Sequence, residues 1–205
     1  MIDSEKYINS ILSDLGFSSV EELINKFFLY ELTQSYARID KSTGLENAIR
    51  DRFIKDLYRP TSKTRNLMDK NILRIDWERW VFKNNEDKLG RTDISFYLPG
   101  IQFILECKRL ESIDTRYINE GVARFINCDY SANDDYAGMI GFIVGGDITS
   151  IISGLKLKTA SYDMTSAILG DIVNCWETSF KSNHLRVNNY DIQLNHLFFI
   201  FDKSI

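Results

Sequence analysis

The sequence predicts a mixed α/β domain, α+β in the wider sense, with a central sheet flanked by helices and a helical segment at its N-terminus. Three observations carry this expectation. Apolar residues recur at helical spacing through the first part of the chain. The middle alternates in short runs divided by turn residues. Two later runs, 137–144 and 191–201, are apolar enough for buried strands. With 205 residues, 44% of them hydrophobic, the chain can bury one sizeable core. Its only prolines are Pro60 and Pro99 and it has no Pro/Gly/Ser-rich linker, so 1–205 reads as a single domain. Within it, 1–43 is expected to be a helical extension, 44–145 the core, and 146–205 further helices and a closing strand.

Tyr7, Ile11 and Leu15, then Leu23, Phe27 and Tyr30, predict two amphipathic helices divided at Gly16, with a fresh N-cap at Ser18-Ser19. Leu45, Ile49, Phe53 and Leu57 form the stripe of a third, which Arg59-Pro60 ends. Strands are expected over 72–83, 93–98 and 101–109, the last two joined by a tight turn at Pro99-Gly100. Ile118, Val122 and Phe125 restore helical spacing over 115–128. A buried strand at 137–144 is stopped by Gly145-Gly146, and 147–176 is expected to be helical before the closing strand.

Composition removes several classes. Cys107, Cys128 and Cys175 are odd in number and form no CxxC pair, which argues against a disulfide framework or zinc ribbon and for three reduced thiols in the core. The N-terminus has acids where a secretory signal needs a basic head, and no apolar run reaches bilayer length, so a cytoplasmic protein without a membrane partner is expected. A net charge of −4 and a pI near 5.3 argue against gripping nucleic acid by bulk electrostatics. They leave room for a metal site, which needs concentrated carboxylates.

Side-chain alternation puts Gln102, Ile104, Glu106 and Lys108 on one face of IQFILECKRL, and Phe103, Leu105 and Cys107 on the other. In the partner strand Asp93, Ser95 and Tyr97 share a face. Asp93 and Glu106 each lie about six residues from the turn, so antiparallel pairing sets them level. Two facing carboxylates repel unless a cation lies between them. Mg²⁺ is bound in this way, through one or two carboxylates with water and substrate phosphate, and Lys108 reaches the same spot.

The text GRTDISFYLPGIQFILECKRL resembles the PD-(D/E)xK, or restriction-endonuclease-like, nuclease superfamily. That pattern has an acid at the start of one hairpin strand and a (D/E)-x-K triplet in the next. Asp93 matches the first acid and Glu106-Cys107-Lys108 the triplet, while Arg91-Thr92 stands where the family's proline would be. Glu46, in GLENAIRDRF, matches the family's optional helix acid, and the order of elements over 44–145 is similar to the family core. The resemblance implies a restriction-endonuclease-like sheet and hydrolysis of a phosphodiester. Asp93, Glu106, the Cys107 carbonyl and Glu46 would hold Mg²⁺ or Mn²⁺, and Lys108 would orient the water and stabilise developing charge. It further implies a DNA endonuclease (RNA being the alternative polymer) of a prokaryotic restriction or anti-phage system, working as a homodimer or with a partner subunit. A nuclease-like assembly or nucleic-acid-binding subunit without turnover is the competing expectation.

Other residues carry two readings each. Arg50, Arg52, Lys55, Arg59, Lys63 and Arg65 are either phosphate contacts or a solvated face. Tyr117, Gly121 and Arg124 share one helix face, near Arg116, that either meets phosphate or packs closely on the sheet through Gly121. His184 and His196 are expected to be structural. Trp77 and Trp80 either stack on bases or pack in a core or interface.

Overall fold

The computed structural model describes residues 4–82, 89–162, 168–170 and 176–201, so Cys175 lies outside the described residues. Helix α1 (Ser4–Asp14) turns buried Leu12 and half-buried Ile8 and Ile11 to the core, with Leu15 just beyond its end. After Gly16, whose φ of +82° suits a residue without Cβ, the chain re-enters a helix at Ser19. The Ser19 hydroxyl caps the Glu22 N–H at 3.1 Å, while Glu22 accepts from the Ser18 N–H at 2.7 Å. The resulting helix α2 (20–38) is α-helical over Val20–Leu23, π-helical over Ile24–Leu29 and α-helical again over Tyr30–Arg38. Helix α3 (Glu46–Leu57) follows, with Ile49, Phe53, Ile54 and Leu57 inward. The short α4 (Lys63–Asp69), capped by Ser62, was not expected from the periodicity, because seven residues give too few repeats to register.

The strands are β1 (Arg74–Phe82), β2 (Leu89–Leu98), β3 (Ile101–Leu110), β4 (Tyr136–Ile143), β5 (Ile168–Gly170), β6 (Ser179–Leu185) and β7 (Asp191–Ile200). They form one seven-stranded sheet in the order β1-β2-β3-β4-β7-β6-β5. Only the β3–β4 and β4–β7 pairs are parallel, so the sheet is mixed. Leu98 pairs with Ile101 across Pro99-Gly100, and Gly100 takes a φ of +78°. A Cβ there would also lie 2.9 Å from Ile8 Cγ1, so α1 closes over this turn. Between β3 and β4 runs helix α5 (115–126), π-helical over Ile118–Val122. Helix α6 (Ile148–Ser161) lies between β4 and β5.

Helices α1 to α4 cover one face of the sheet, packing on Phe96, Phe103, Leu105, Cys107 and Phe142. Helices α5 and α6 cover the other, on Ile104, Leu110, Met139 and Phe198. The expected parity of β3 therefore holds: Cys107 turns to the first core and Ile104 to the second. Two expectations for the C-terminal part need correction. The helix expected over 147–176 ends at Ser161, and Ile168–Gly170 is a strand. Strand β6 was missed because SFKSNHL carries almost no β-branched or alternating apolar residues. The closing strand β7 sits between β4 and β6, near the middle of the sheet. Among the described residues, no helix is long and apolar enough to cross a membrane.

Candidate active site

The β2–β3 ladder runs from Leu98↔Ile101 to Ile94↔Leu105 and stops. Beyond it, the backbone groups of β3 that face β2 lack a neighbouring strand and need other partners. Carboxylates provide them. Asp93 Oδ2 accepts the Cys107 N–H at 2.8 Å, and Glu46 Oε2 accepts the Arg109 N–H at 2.7 Å. Arg109 Nε also donates to the Gly44 carbonyl at 3.0 Å, tying the start of α3 to the same stretch. In a strand the N–H and C=O of one residue point to the same edge. The Cys107 carbonyl is thus presented beside these acids, where the Lys108 Nζ donates to it at 3.1 Å.

Glu106, on the face of β3 opposite to Cys107, belongs to the same group. Its Oε1 accepts from Lys108 Nζ at 2.7 Å and from Arg124 Nη1 at 2.5 Å. Its Oε2 is buried with no hydrogen-bond partner among the described residues. Burial first, and then the charge of Asp93, push the Glu106 carboxyl up to about 7, against the downward pull of Lys108 and Arg124. Burial works to lower the Lys108 ammonium, but Glu106, Glu46 and Asp93 outweigh it and the net shift is upward. The Cys107 thiol is driven up by burial and by the same three carboxylates. Asp93, Glu106, Glu46 and Lys108 therefore surround one strand segment.

Two further residues belong to the cluster. Arg50, on α3 and only 2% exposed, donates to Asp93 Oδ1 at 3.3 Å and pairs with Asp51 at 2.9 Å and Glu78 at 3.1 Å. Glu78 stands across from Asp93, since the pairs on either side are Trp77↔Ile94 and Arg79↔Thr92. It has a φ of +53°, a left-handed backbone uncommon for a non-glycine residue. Nothing in WERW marks Glu78 by itself; locating the far end of the β1–β2 hairpin would have done so.

The basic stretch around α3 is divided between buried, paired and exposed side chains. Arg50 is buried, Arg52 donates to the Asp40 and Ser42 carbonyls, and Arg59 and Arg65 pair with Asp56 and Asp69. Tyr117 is not available to phosphate: it is fully buried, and its hydroxyl bonds His196 Nδ1 at 2.9 Å. Gly121 takes the packing alternative, as a Cβ there would lie 2.4 Å from Met139 Cε. Arg116 is exposed and pairs with Asp114. His184 and His196 are buried and joined through the Ser182 hydroxyl at 2.7 and 2.8 Å. Cys107 and Cys128 are buried free thiols.

Whether the cluster suits a divalent ion is decided by its unsatisfied atoms. A buried carboxylate oxygen without a donor, on a carboxyl held near neutrality by desolvation, is a group that gains from a cation. Among the described residues, no three His, Cys, Asp or Glu side chains converge at ligand distance as they stand. Lys108 Nζ occupies the space between Glu106 Oε1 and the Cys107 carbonyl, and Arg50 holds Asp93. Comparison of the chain with protein-family models, with curated proteins and with solved structures gave no match.

Proposed function

We propose that this chain is a metal-dependent nuclease that hydrolyses phosphodiester bonds, a DNA endonuclease of the restriction-endonuclease-like kind. The observation that carries the proposal is the single strand segment 106–109 ringed by Asp93, Glu46 and Glu106, with Lys108 among them and Glu106 Oε2 lacking a donor among the described residues. The mixed sheet, with a helix before the hairpin and a helical crossover into a parallel strand, supports the same reading. The cytoplasmic setting, the link to restriction or anti-phage defence, and a homodimeric or partnered assembly are extensions of this proposal that rest on the resemblance in the sequence.

Asp93, Glu106, the Cys107 carbonyl and, at the helix end, Glu46 would hold Mg²⁺ or Mn²⁺. The ion, when bound, polarises the phosphate and lowers the pKa of a water. Asp93 also keeps the Cys107 peptide oriented, and Glu46 does the same for Arg109. Lys108, once it leaves Glu106, donates to a phosphate oxygen and offsets the charge that develops on it. Arg124, 29% exposed, neutralises Glu106 and presents its outer edge to an incoming phosphate.

One observation favours a second reading, a nuclease-like assembly subunit without turnover. Lys108, Arg124 and Arg50 already neutralise the acids, as structural ion pairs would. A plasmid-nicking assay with Mg²⁺ decides between them. The nuclease nicks, and loses activity in both Asp93→Ala and Lys108→Ala; absence of nicking by the unaltered chain on duplex, single-stranded DNA and RNA leaves the assembly subunit.

A further inference from the structure

The outermost strand on the Asp93 side of the sheet carries aromatic and cationic side chains into solvent. Trp80 is 62% exposed and belongs to neither core cluster. Arg91, its partner across the hairpin, lies over the indole at 5.9 Å. Nearby, Arg74 and Arg79 lie over the Tyr97 ring at 4.6 and 4.9 Å. Edge strands usually guard themselves with charge alone, because an exposed apolar edge invites association. A large ring left in solvent and flanked by guanidinium groups has the composition of a recognition surface.

This surface is joined to the acid cluster. The Tyr130 hydroxyl donates to the Arg91 carbonyl at 2.6 Å, and the Arg124 guanidinium lies 5.4 Å over the Tyr130 ring. Arg124 then reaches Glu106. From exposed Trp80 the contacts run to the Arg91 guanidinium and, by way of the Arg91 backbone carbonyl, through buried Tyr130 to Arg124 and Glu106. Arg91 also lies 3.4 Å from Glu78, and Arg74 3.1 Å from Asp76. Such part-exposed pairs are weak in water and yield to a phosphate that offers charge and geometry together.

A ligand for exposed Trp80 and the two arginines must present a flat ring with negative charge beside it. A duplex keeps its bases stacked on each other; a single strand leaves each base face free for an aromatic side chain. The chain's net charge of −4 also disfavours a broad electrostatic grip of the kind duplex binding uses. We propose that Trp80, Arg91 and Arg124 form a track for single-stranded nucleic acid, with a base stacked on Trp80 and phosphates on the two arginines, leading the chain to Glu106. This rests on the phosphodiesterase reading above and names its substrate class.

Fluorescence anisotropy with labelled oligo(dT) and oligo(rU), in EDTA, reads the track without turnover. The unaltered protein is expected to bind a single strand more tightly than a duplex of equal length. Trp80→Ala and Arg91→Ala each weaken single-strand binding roughly fivefold or more, while Trp80→Phe retains most of it. Thermal melting should be unchanged in Trp80→Ala, since the ring is outside both cores. Trp80-dependent binding of either polymer supports the track, and the tighter of the two identifies the sugar. Equal affinity in Trp80→Ala and the unaltered protein, tighter Trp80-independent binding of duplex, or no binding of any polymer overturns it. A parallel nicking assay separates the two ideas. Cleavage that is indifferent to Trp80 removes the track and leaves the nuclease. Trp80-dependent binding without cleavage of any polymer leaves the track and removes the nuclease.

Discussion

Asp93 Oδ2 accepts the Cys107 N–H at 2.8 Å, in the position that a carbonyl of the neighbouring strand would take had the ladder continued past Ile94↔Leu105. One carboxylate thus ends a strand pairing, fixes the Cys107 peptide and stands beside Glu106. Its other oxygen meets buried Arg50. Fold and site share this residue.

Replacing Asp93 tests both roles. Asp93→Ala leaves a backbone N–H without an acceptor and removes one of three acids from Arg50, which keeps Asp51 and Glu78. A loss of about 2 to 3 kcal/mol in urea unfolding is expected, below the cost of stranding a buried charge outright. Asp93→Asn retains an oxygen for Cys107, so its loss should be nearer ~1 kcal/mol. Both should reduce nicking by roughly two to four orders of magnitude. An Asp93→Asn protein that nicks normally would remove Asp93 from the chemistry.

Glu106 makes stability depend on pH in a specified direction. Its carboxyl rises from an ordinary 4.5 to about 7, through burial and then Asp93. A group whose folded pKa is raised contributes stability that is full below its unfolded pKa and is lost as pH rises through the folded one. The window is therefore about 4.5 to 7. Glu106→Gln should lack this slope and, at about pH 8, exceed the unaltered protein by on the order of 2 to 3 kcal/mol while inactive. Urea titrations across the window check it; parallel curves for the two proteins would show that Glu106 is not strained by its burial.

The sequence carried the register of the β2–β3 hairpin, from Leu98↔Ile101 to Ile94↔Leu105, because one turn signal, Pro99-Gly100, and a period of two suffice to set it over so short a hairpin. It also carried the inward Cys107, which follows from local parity, whereas Glu46 was singled out by the resemblance alone. It did not carry Arg50 into the core. That burial depends on how α3 docks beside Glu78 and Asp93, a tertiary relation between residues far apart in the chain. The same holds for Arg124, whose bond to Glu106 depends on Gly121 letting α5 sit close on Met139. Strand β6 was hidden for a different reason: its polar SFKSNHL is kept buried by neighbours, and no periodicity announces that.

His196 gives a slope of the opposite sign to that of Glu106. Burial, then neighbouring His184, hold its pKa well below 6.5, and Tyr117, Ser182 and the Phe180 ring, 4.1 Å away, surround it. For a depressed pKa, the contribution is present above the unfolded value and is lost as pH falls toward the folded one. Unfolding free energy should therefore decline below 6.5. His196→Gln should remove that decline, at a cost at neutral pH of about 1 to 3 kcal/mol for the unmet Tyr117 and Ser182 hydroxyls. Hydrogen exchange or urea unfolding at mildly acid pH distinguishes the two proteins.

Lys108 separates ion binding from turnover. Its ammonium donates to Glu106 Oε1 and to the Cys107 carbonyl, the atoms an ion would use, and the charge of Glu106, Glu46 and Asp93 holds it protonated there. Lys108→Met removes this internal competitor and leaves three carboxylates with one cation fewer. Mn²⁺ binding, followed by electron paramagnetic resonance without substrate, should then tighten, roughly tenfold for each 1.4 kcal/mol of competition relieved. Cleavage should fall, because the phosphate loses its donor. Asp93→Asn should lose Mn²⁺ instead. If Lys108→Met binds Mn²⁺ more weakly than the unaltered chain, the ammonium is part of a structural ion cluster, and the acids around Cys107 are there to be neutralised by Lys108, Arg124 and Arg50 alone.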